Sequence, residues 1–302
     1  MQQQIKYANI AIIGKPNVGK SSLMNRLTST WSSIVTPKPQ TTRNAISVVY
    51  EDDEAKFVFT DTPGYLDPRH KLDEFLNQEI KQAYEKAEFI LFINDMSRPL
   101  SNEDDEIINL LLNLRNKKII LVVNKAETAS NQHIIDERIQ NVKQRINVID
   151  QIQISALHQI NIDKLLSLIK SHIAYSPINE YFGQQYQQDD LFMISEIIRE
   201  QCLNLLDKEV PHGIGVQIEQ ENYDQTIGIW KLAVNLIVEK ESHKRIVIGK
   251  DGSKIRQIRL SSLKKIKSIF DAEITLNLFV KVEKNWRDSF TTLKALGYKN
   301  KK

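Results

Sequence analysis

Residues 14–21, GKPNVGKS, constrain this chain more than any other segment. They match G-x-x-x-x-G-K-[ST] in full, after an apolar run, Asn9–Ile13, that predicts a strand, and before Ser21–Leu27, which opens a helix. Strand, glycine-rich turn and helix in that order aim successive backbone N–H groups at a phosphate, and the helix adds the positive end of its dipole. Gly14 and Gly19 permit the turn around Lys15, Pro16, Asn17 and Val18. Lys20 would reach the β- and γ-phosphates, and the Ser21 hydroxyl, with Ser22 beside it, would face Mg²⁺. The loop predicts a nucleotide but does not choose its base.

Later segments narrow that choice. Asp61-Thr62-Pro63-Gly64 ends the predicted strand Phe57–Thr60, where the carboxylate can hold Mg²⁺ through water and the Gly64 N–H can sense a γ-phosphate. Between the two loops, residues 36–44, TPKPQTTRN, are polar and show no core pattern; Thr41 or Thr42, with Thr42 in first place, is the candidate switch ligand to Mg²⁺. Lys20, Thr42 and Gly64 thus form the candidate catalytic set, and Ser21, Thr42 and Asp61 the metal set. Arg43 lies in the same loop and is expected to face solvent or RNA. Asn124-Lys125-Ala126-Glu127 follows the apolar run Ile119–Val123, and Ser155-Ala156 follows Ile152–Ile154. Both fall at carboxyl ends of strands, where such sheets bind ligands. A carboxylate at Glu127 can accept from both N–H edges of guanine, which adenine cannot match. The position after the Asp61–Gly64 segment is Tyr65, which lacks the amide that orients water in some GTPases, so turnover is expected to be slow.

The organisation agrees with two domains. Over residues 1–175 short apolar strands alternate with amphipathic helices, and EDDEAK between Ile46–Tyr50 and Phe57–Thr60 reads as a hairpin. That predicts an α/β domain with a mainly parallel sheet. Residues 176–190, rich in Gln with Pro and Gly, read as a linker, and 191–302 as a smaller α+β domain. Charge separates the same way: residues 231–302 hold 18 Lys or Arg and 7 Asp or Glu, a surplus of +11. The whole chain is only +3, so the remainder is −8. A basic quarter implies a polyanionic partner. Within it Gly249-Lys250-Asp251-Gly252 is a GxxG loop before a helix that starts near Lys254, the arrangement by which a KH fold clamps a nucleic-acid backbone. Arg256, Lys264, Lys265 and Lys267 would extend the basic face. Trp286 reads as a packed aromatic, and Cys202, the one cysteine, as a small hydrophobe in a reducing compartment. No apolar run reaches the ~18 residues of a membrane span.

The series GKPNVGKS, QTTRN, DTPG, NKAE and SA resembles the five nucleotide-binding boxes of translation-factor-related GTPases, and PNVGKS with PQTTR is most similar to the bacterial Era family. SEIIREQCLNLLDKEVPH, KRIVIGKDGSKIRQI and LFVKVEKNWRD resemble that family's C-terminal KH domain. The resemblance implies a P-loop G domain followed by a KH domain, binding of GTP and GDP, Mg²⁺-dependent hydrolysis, and K⁺ held near Asn17. It also implies a cytoplasmic monomer that binds the 3′ end of 16S rRNA and assists 30S ribosomal subunit assembly, with peripheral contact at the inner membrane. Two departures stand out. Glu127 replaces the family's Asp, moving the carboxylate by about 1.5 Å, and Arg259-Leu260-Ser261 replaces a glycine and an alanine–arginine pair. A nucleotide-gated RNA scaffold with little hydrolysis and a membrane-associated signalling GTPase are the rival readings.

Overall fold

Strands that are apolar along their whole length need cover on both faces, and here they become the middle of a sheet. The computed structural model describes residues 4–28, 36, 43, 45–64, 68, 70–114, 116–125, 127, 131–177, 182–183, 189–207, 210–224, 229–270 and 273–298. Its contacts divide the chain into two units, one within residues 1–187 and one built mainly from 188–302.

In the first unit β1 (Gln4–Ile13), β2 (Ile46–Glu51), β3 (Ala55–Asp61), β4 (Phe89–Asn94), β5 (Lys118–Val123) and β6 (Val148–Gln153) form a sheet of order β2–β3–β1–β4–β5–β6. All pairings along it are parallel except the β2–β3 hairpin. On one face Leu23 of α1 (Lys20–Leu27) and Leu165 and Ile169 of α5 (Ile162–Ser171) bury against Ile10, Phe57, Phe59, Leu91 and Ile120. On the other, Ile80 of α2 (Lys71–Lys86), Ile108 of α3 (Asn102–Leu112) and Ile139 of α4 (Gln132–Arg145) bury against Ile13, Phe92 and Leu121. Each such side chain contributes roughly 1.5–3 kcal/mol when fully buried. These two layers fix the strand ends, and with them the described loop residues that follow β1, β3, β4 and β5. The fold class is the one expected.

The differences lie at edges. β6 begins at Val148, not Ile152, because among the described residues it pairs with β5 alone and an edge strand tolerates Asp150 and Gln151. Tyr175–Pro177, spanning the expected boundary between the first domain and the linker at residue 176, is a short strand β7, antiparallel to Gln4–Lys6; proline is admissible there because an edge leaves its missing N–H unused.

The second unit runs α6 (Asp190–Leu205), β8 (Gly215–Asp224), β9 (Ile229–Val238), α7 (Glu241–Ile248), α8 (Ser253–Ile269), β10 (Glu273–Val282) and α9 (Phe290–Ala295). Its sheet has the order β10–β9–β8, with β9 parallel to β10 and antiparallel to β8. Inside it Arg199 pairs with Glu196 through two hydrogen bonds of 2.8 and 2.6 Å. Cys202 is fully buried, which pushes its thiol up to about 12. Trp286 is buried and donates its indole N–H to the Gly213 carbonyl at 3.0 Å, a packed aromatic as expected.

Candidate nucleotide site and nucleic-acid interface

The carboxyl ends of β1, β3, β4 and β5 converge on the glycine-rich loop. Gly19 has φ 104°, a conformation that a side chain resists, and a Cβ there would stand 2.2 Å from the Asn124 amide nitrogen. The chain then enters α1 at Lys20, whose Nζ donates to the carbonyls of Gly14 (2.8 Å) and Lys15 (3.0 Å). Burial lowers the Lys20 ammonium to about 8, only partly opposed by Asp61. A phosphate brought beside it would reverse that penalty, which makes the group a strong anion receptor. Asn17, at φ 63°, and Pro16 form the outer turn, and Val18 is buried.

Ser21 Oγ donates to Asp61 Oδ2 at 2.6 Å, so a hydroxyl and a carboxylate from two different loops meet. Oxygen donors of this kind suit Mg²⁺. Thr62 Oγ1 donates to the Ile12 carbonyl at 2.8 Å, tying the second loop to β1. A Cβ on Gly64 would lie 2.7 Å from Pro16 Cγ, so this backbone runs directly against the glycine-rich loop. Thr42 and Tyr65 lie outside the described residues, as does Ala126.

Asn124 joins the remaining pieces. Its Nδ2 donates to the Val18 carbonyl at 2.7 Å and its Oδ1 accepts from Ala156 N at 2.9 Å. Ser155 is buried, and its Oγ accepts from His158 N at 3.1 Å. Glu127 is exposed, with no hydrogen-bond or ion-pair partner among the described residues. Arg43, by contrast, is 1 % exposed, which corrects the expectation that it faces solvent or RNA.

Three polar residues that the motifs did not single out belong to the same end of the sheet. Asp104, fully buried at the start of α3, accepts from Lys15 Nζ (2.6 Å), Ser101 N (2.8 Å) and Asn94 Nδ2 (2.7 Å). Asp95 accepts from Lys125 Nζ at 2.8 Å. Asn94 and Asp95 end the apolar run of β4, so the carboxyl-end rule used for Asn124 would have found them.

In the second unit the GxxG loop joins α7 to α8. Gly249 and Gly252 both have φ 73° and Asp251 φ 51°, so the chain reverses tightly before the α8 N-terminus. Lys250 is exposed and Lys254 half-buried. Ile246 on α7 and Leu260 on α8 leave about half their surface exposed, at 48 % and 50 %. Helix α8 runs unbroken through Arg259-Leu260-Ser261. Of the expected basic face, Lys265 pairs with the buried Glu200, and Lys267 with Glu273 at 2.6 Å, so both are neutralised locally. Arg256 and Lys264 stay exposed.

Fold and site together define a P-loop GTPase carrying a KH domain. Residues 9–125 match the family model described as 50S ribosome-binding GTPase, and residues 209–287 match the KH domain. GTPase Era of Ureaplasma parvum serovar 3 is 50 % identical over 98 % of this chain and 99 % of its own length. GTPase Era of Clostridium novyi is 39 % identical over 96 % and 98 %. Two solved structures, each covering 97 % of this chain and 99 % of their own at 30 % identity, superpose with a TM-score of 0.90. One is an Era variant from Aquifex aeolicus bound to GDP and AlF4⁻; the other is Era with MgGDPNP and nucleotides 1506–1542 of 16S ribosomal RNA. The chain belongs to the GTPase Era family.

Proposed function

We propose that this GTPase is a guanine-nucleotide switch that binds the 3′ end of 16S rRNA through its KH domain and assists 30S subunit assembly. The observation that carries it is Asn124, whose two hydrogen bonds hold a phosphate loop and a base-recognition segment in one rigid frame. Lys20 and the N–H groups of residues 14–22 take the phosphates. Lys125, Glu127, Ser155 and Ala156 meet the base. Ser21, Asp61 and Thr42 hold Mg²⁺, which supplies charge neutralisation of the phosphates. Asp61 Oδ2 already lies at hydrogen-bond distance from the Ser21 hydroxyl. Gly64, packed on Pro16, couples the state of the γ-phosphate to the segment that follows it. Asn17, at the outer turn of the loop, is the residue that would hold K⁺; faster hydrolysis in K⁺ than in Na⁺, with the difference reduced in Asn17→Ala, is the expected sign.

On the RNA side, Gly249, Lys250, Asp251, Gly252 and Lys254 clamp the backbone, and the exposed apolar side chains of Ile246 and Leu260 offer surface for unstacked bases. The solved relative bound to 16S rRNA nucleotides 1506–1542 supports this partner. We take the protein to act as a cytoplasmic monomer. The exposed Lys250, Arg256 and Lys264 are the groups available for peripheral contact with an anionic inner membrane, where no helix among the described residues is long and apolar enough to span. The deciding experiment titrates GTP, GDP and ATP with and without an oligonucleotide of the rRNA 3′ end. A switch must bind its partner differently in its two states. RNA affinity that is equal with GTP and GDP overturns the proposal, and salt-dependent pelleting with anionic liposomes in place of RNA binding favours the membrane reading.

A further inference from the structure

Lys125 stands two residues before Glu127, yet its ammonium is held from the end of the neighbouring strand, β4. Its Nζ donates to Asp95 Oδ2 at 2.8 Å. Asp95 is 5 % exposed at the end of β4, and its other oxygen accepts from Ser97 N at 3.1 Å and from the Ser97 hydroxyl. Burial works to raise this carboxyl, but the bonds from Lys125 and Ser97 outweigh it and keep it below the usual range. Asp95 is therefore a fixed anion, gripped on one oxygen by Ser97 and gripping Lys125 with the other. Glu127 is exposed and has no partner among the described residues.

We propose that Asp95 is a positioning residue for base recognition: by holding the Lys125 ammonium it keeps the Glu127 carboxylate unpaired and available to guanine. This rests on the reading of Glu127 as the base acceptor. A lysine released from Asp95 would have Glu127 as its nearest acid along the chain, and the longer glutamate stem makes such local pairing easier than an aspartate would. The base would then have to displace an ammonium before it could donate to the carboxylate. An exposed ion pair resists that displacement by up to a factor of about 5 in affinity.

The test is a double-mutant cycle on the full chain, read by GDP and IDP titration. IDP lacks the exocyclic amine, so it can use only part of the Glu127 acceptor. Asp95→Asn keeps the side chain's shape and an oxygen for Ser97 but weakens its grip on Lys125. It is expected to raise the GDP dissociation constant about 3–5-fold and to narrow the preference for GDP over IDP. Binding of magnesium pyrophosphate, which touches only the phosphate loop, should stay within twofold. On a Lys125→Met background, where no ammonium can capture Glu127, Asp95→Asn should change nothing further. An unchanged GDP constant, an equal loss for pyrophosphate, or the same loss on the Lys125→Met background overturns the proposal. Glu127→Ala separates the two failures. If it leaves GDP affinity intact, the reading of Glu127 itself fails; if it weakens GDP while Asp95→Asn does not, only the role of Asp95 falls.

Discussion

Asn124→Ala tests the frame on which the site is built. The side chain is 4 % exposed, and its amide makes two hydrogen bonds, to the Val18 carbonyl at 2.7 Å and from Ala156 N at 2.9 Å. Truncation leaves a buried acceptor and a buried donor without partners. Each orphaned group costs about 1–3 kcal/mol, and water entering the vacated space recovers part, so the net loss should be about 2–4 kcal/mol. Native-state hydrogen exchange reads this locally. In nucleotide-free protein, amides of β1 and β5 should exchange roughly 30- to 1000-fold faster, the same free energy expressed as an opening constant. Peptides from α8 and β10 in the other unit serve as the internal reference. Asn124→Asp is the sharper variant: its carboxylate still accepts from Ala156 N but cannot donate to the Val18 carbonyl, so two oxygens face each other. It should show at least half of the alanine effect at neutral pH. Exchange within threefold of wild type for both variants would refute the bracing role, and with it the account of why base and phosphate sites stay in register.

Other perturbations address other parts of the molecule. Ser21→Ala removes the hydroxyl that meets Asp61 at 2.6 Å, so Mg²⁺ should no longer strengthen GTP binding measurably, while GDP binding without metal changes less than about threefold; titration with and without EDTA checks it. Asp52 is held down at about 2, from an ordinary value of 3.8: burial opposes the shift, but hydrogen bonds from Lys170 and Tyr50 prevail. A depressed acid stabilises the fold fully above pH 3.8 and loses that contribution as the pH falls through about 2. Lys170→Met should therefore cost about 1 kcal/mol at pH 7, after solvent screening, and almost nothing at pH 2, as urea midpoints would show. Lys250→Ala should lower the slope of RNA affinity against salt by about 1, whereas Asp251→Asn should tighten RNA binding by removing a negative charge from the clamp. Glu127→Asp should tighten GDP and leave ATP unaffected; unchanged constants for both would sink the idea that the extra methylene weakens guanine recognition.

Much of this protein is legible along the chain because its chemistry is local. A phosphate loop needs its glycines, lysine and serine within eight consecutive residues, and a GxxG clamp needs four. The apolar runs of β4 and β5 announce a covered sheet because no water-facing strand would keep them. Edge elements are less legible. β6 and β7 mix Asp, Gln, Ser and Pro into strands whose partners decide their conformation, and α7 carries the apolar Ile246, Val247 and Ile248 in a helix that buries Val247.

What tertiary structure alone decides is who meets whom. Asn124 reaches the phosphate loop across 106 residues of sequence, and Arg43 is buried where its polar neighbourhood predicted exposure. Lys265 spends its charge on Glu200, 65 residues away, rather than on a surface field. Lys125 is claimed by Asp95 and not by the acid beside it. The physical reason is the same in each case. Residue types and their spacing set which groups can bind a phosphate, a base or an RNA backbone, but burial and charge pairing depend on neighbours that only the packed sheet brings within 3 Å of one another.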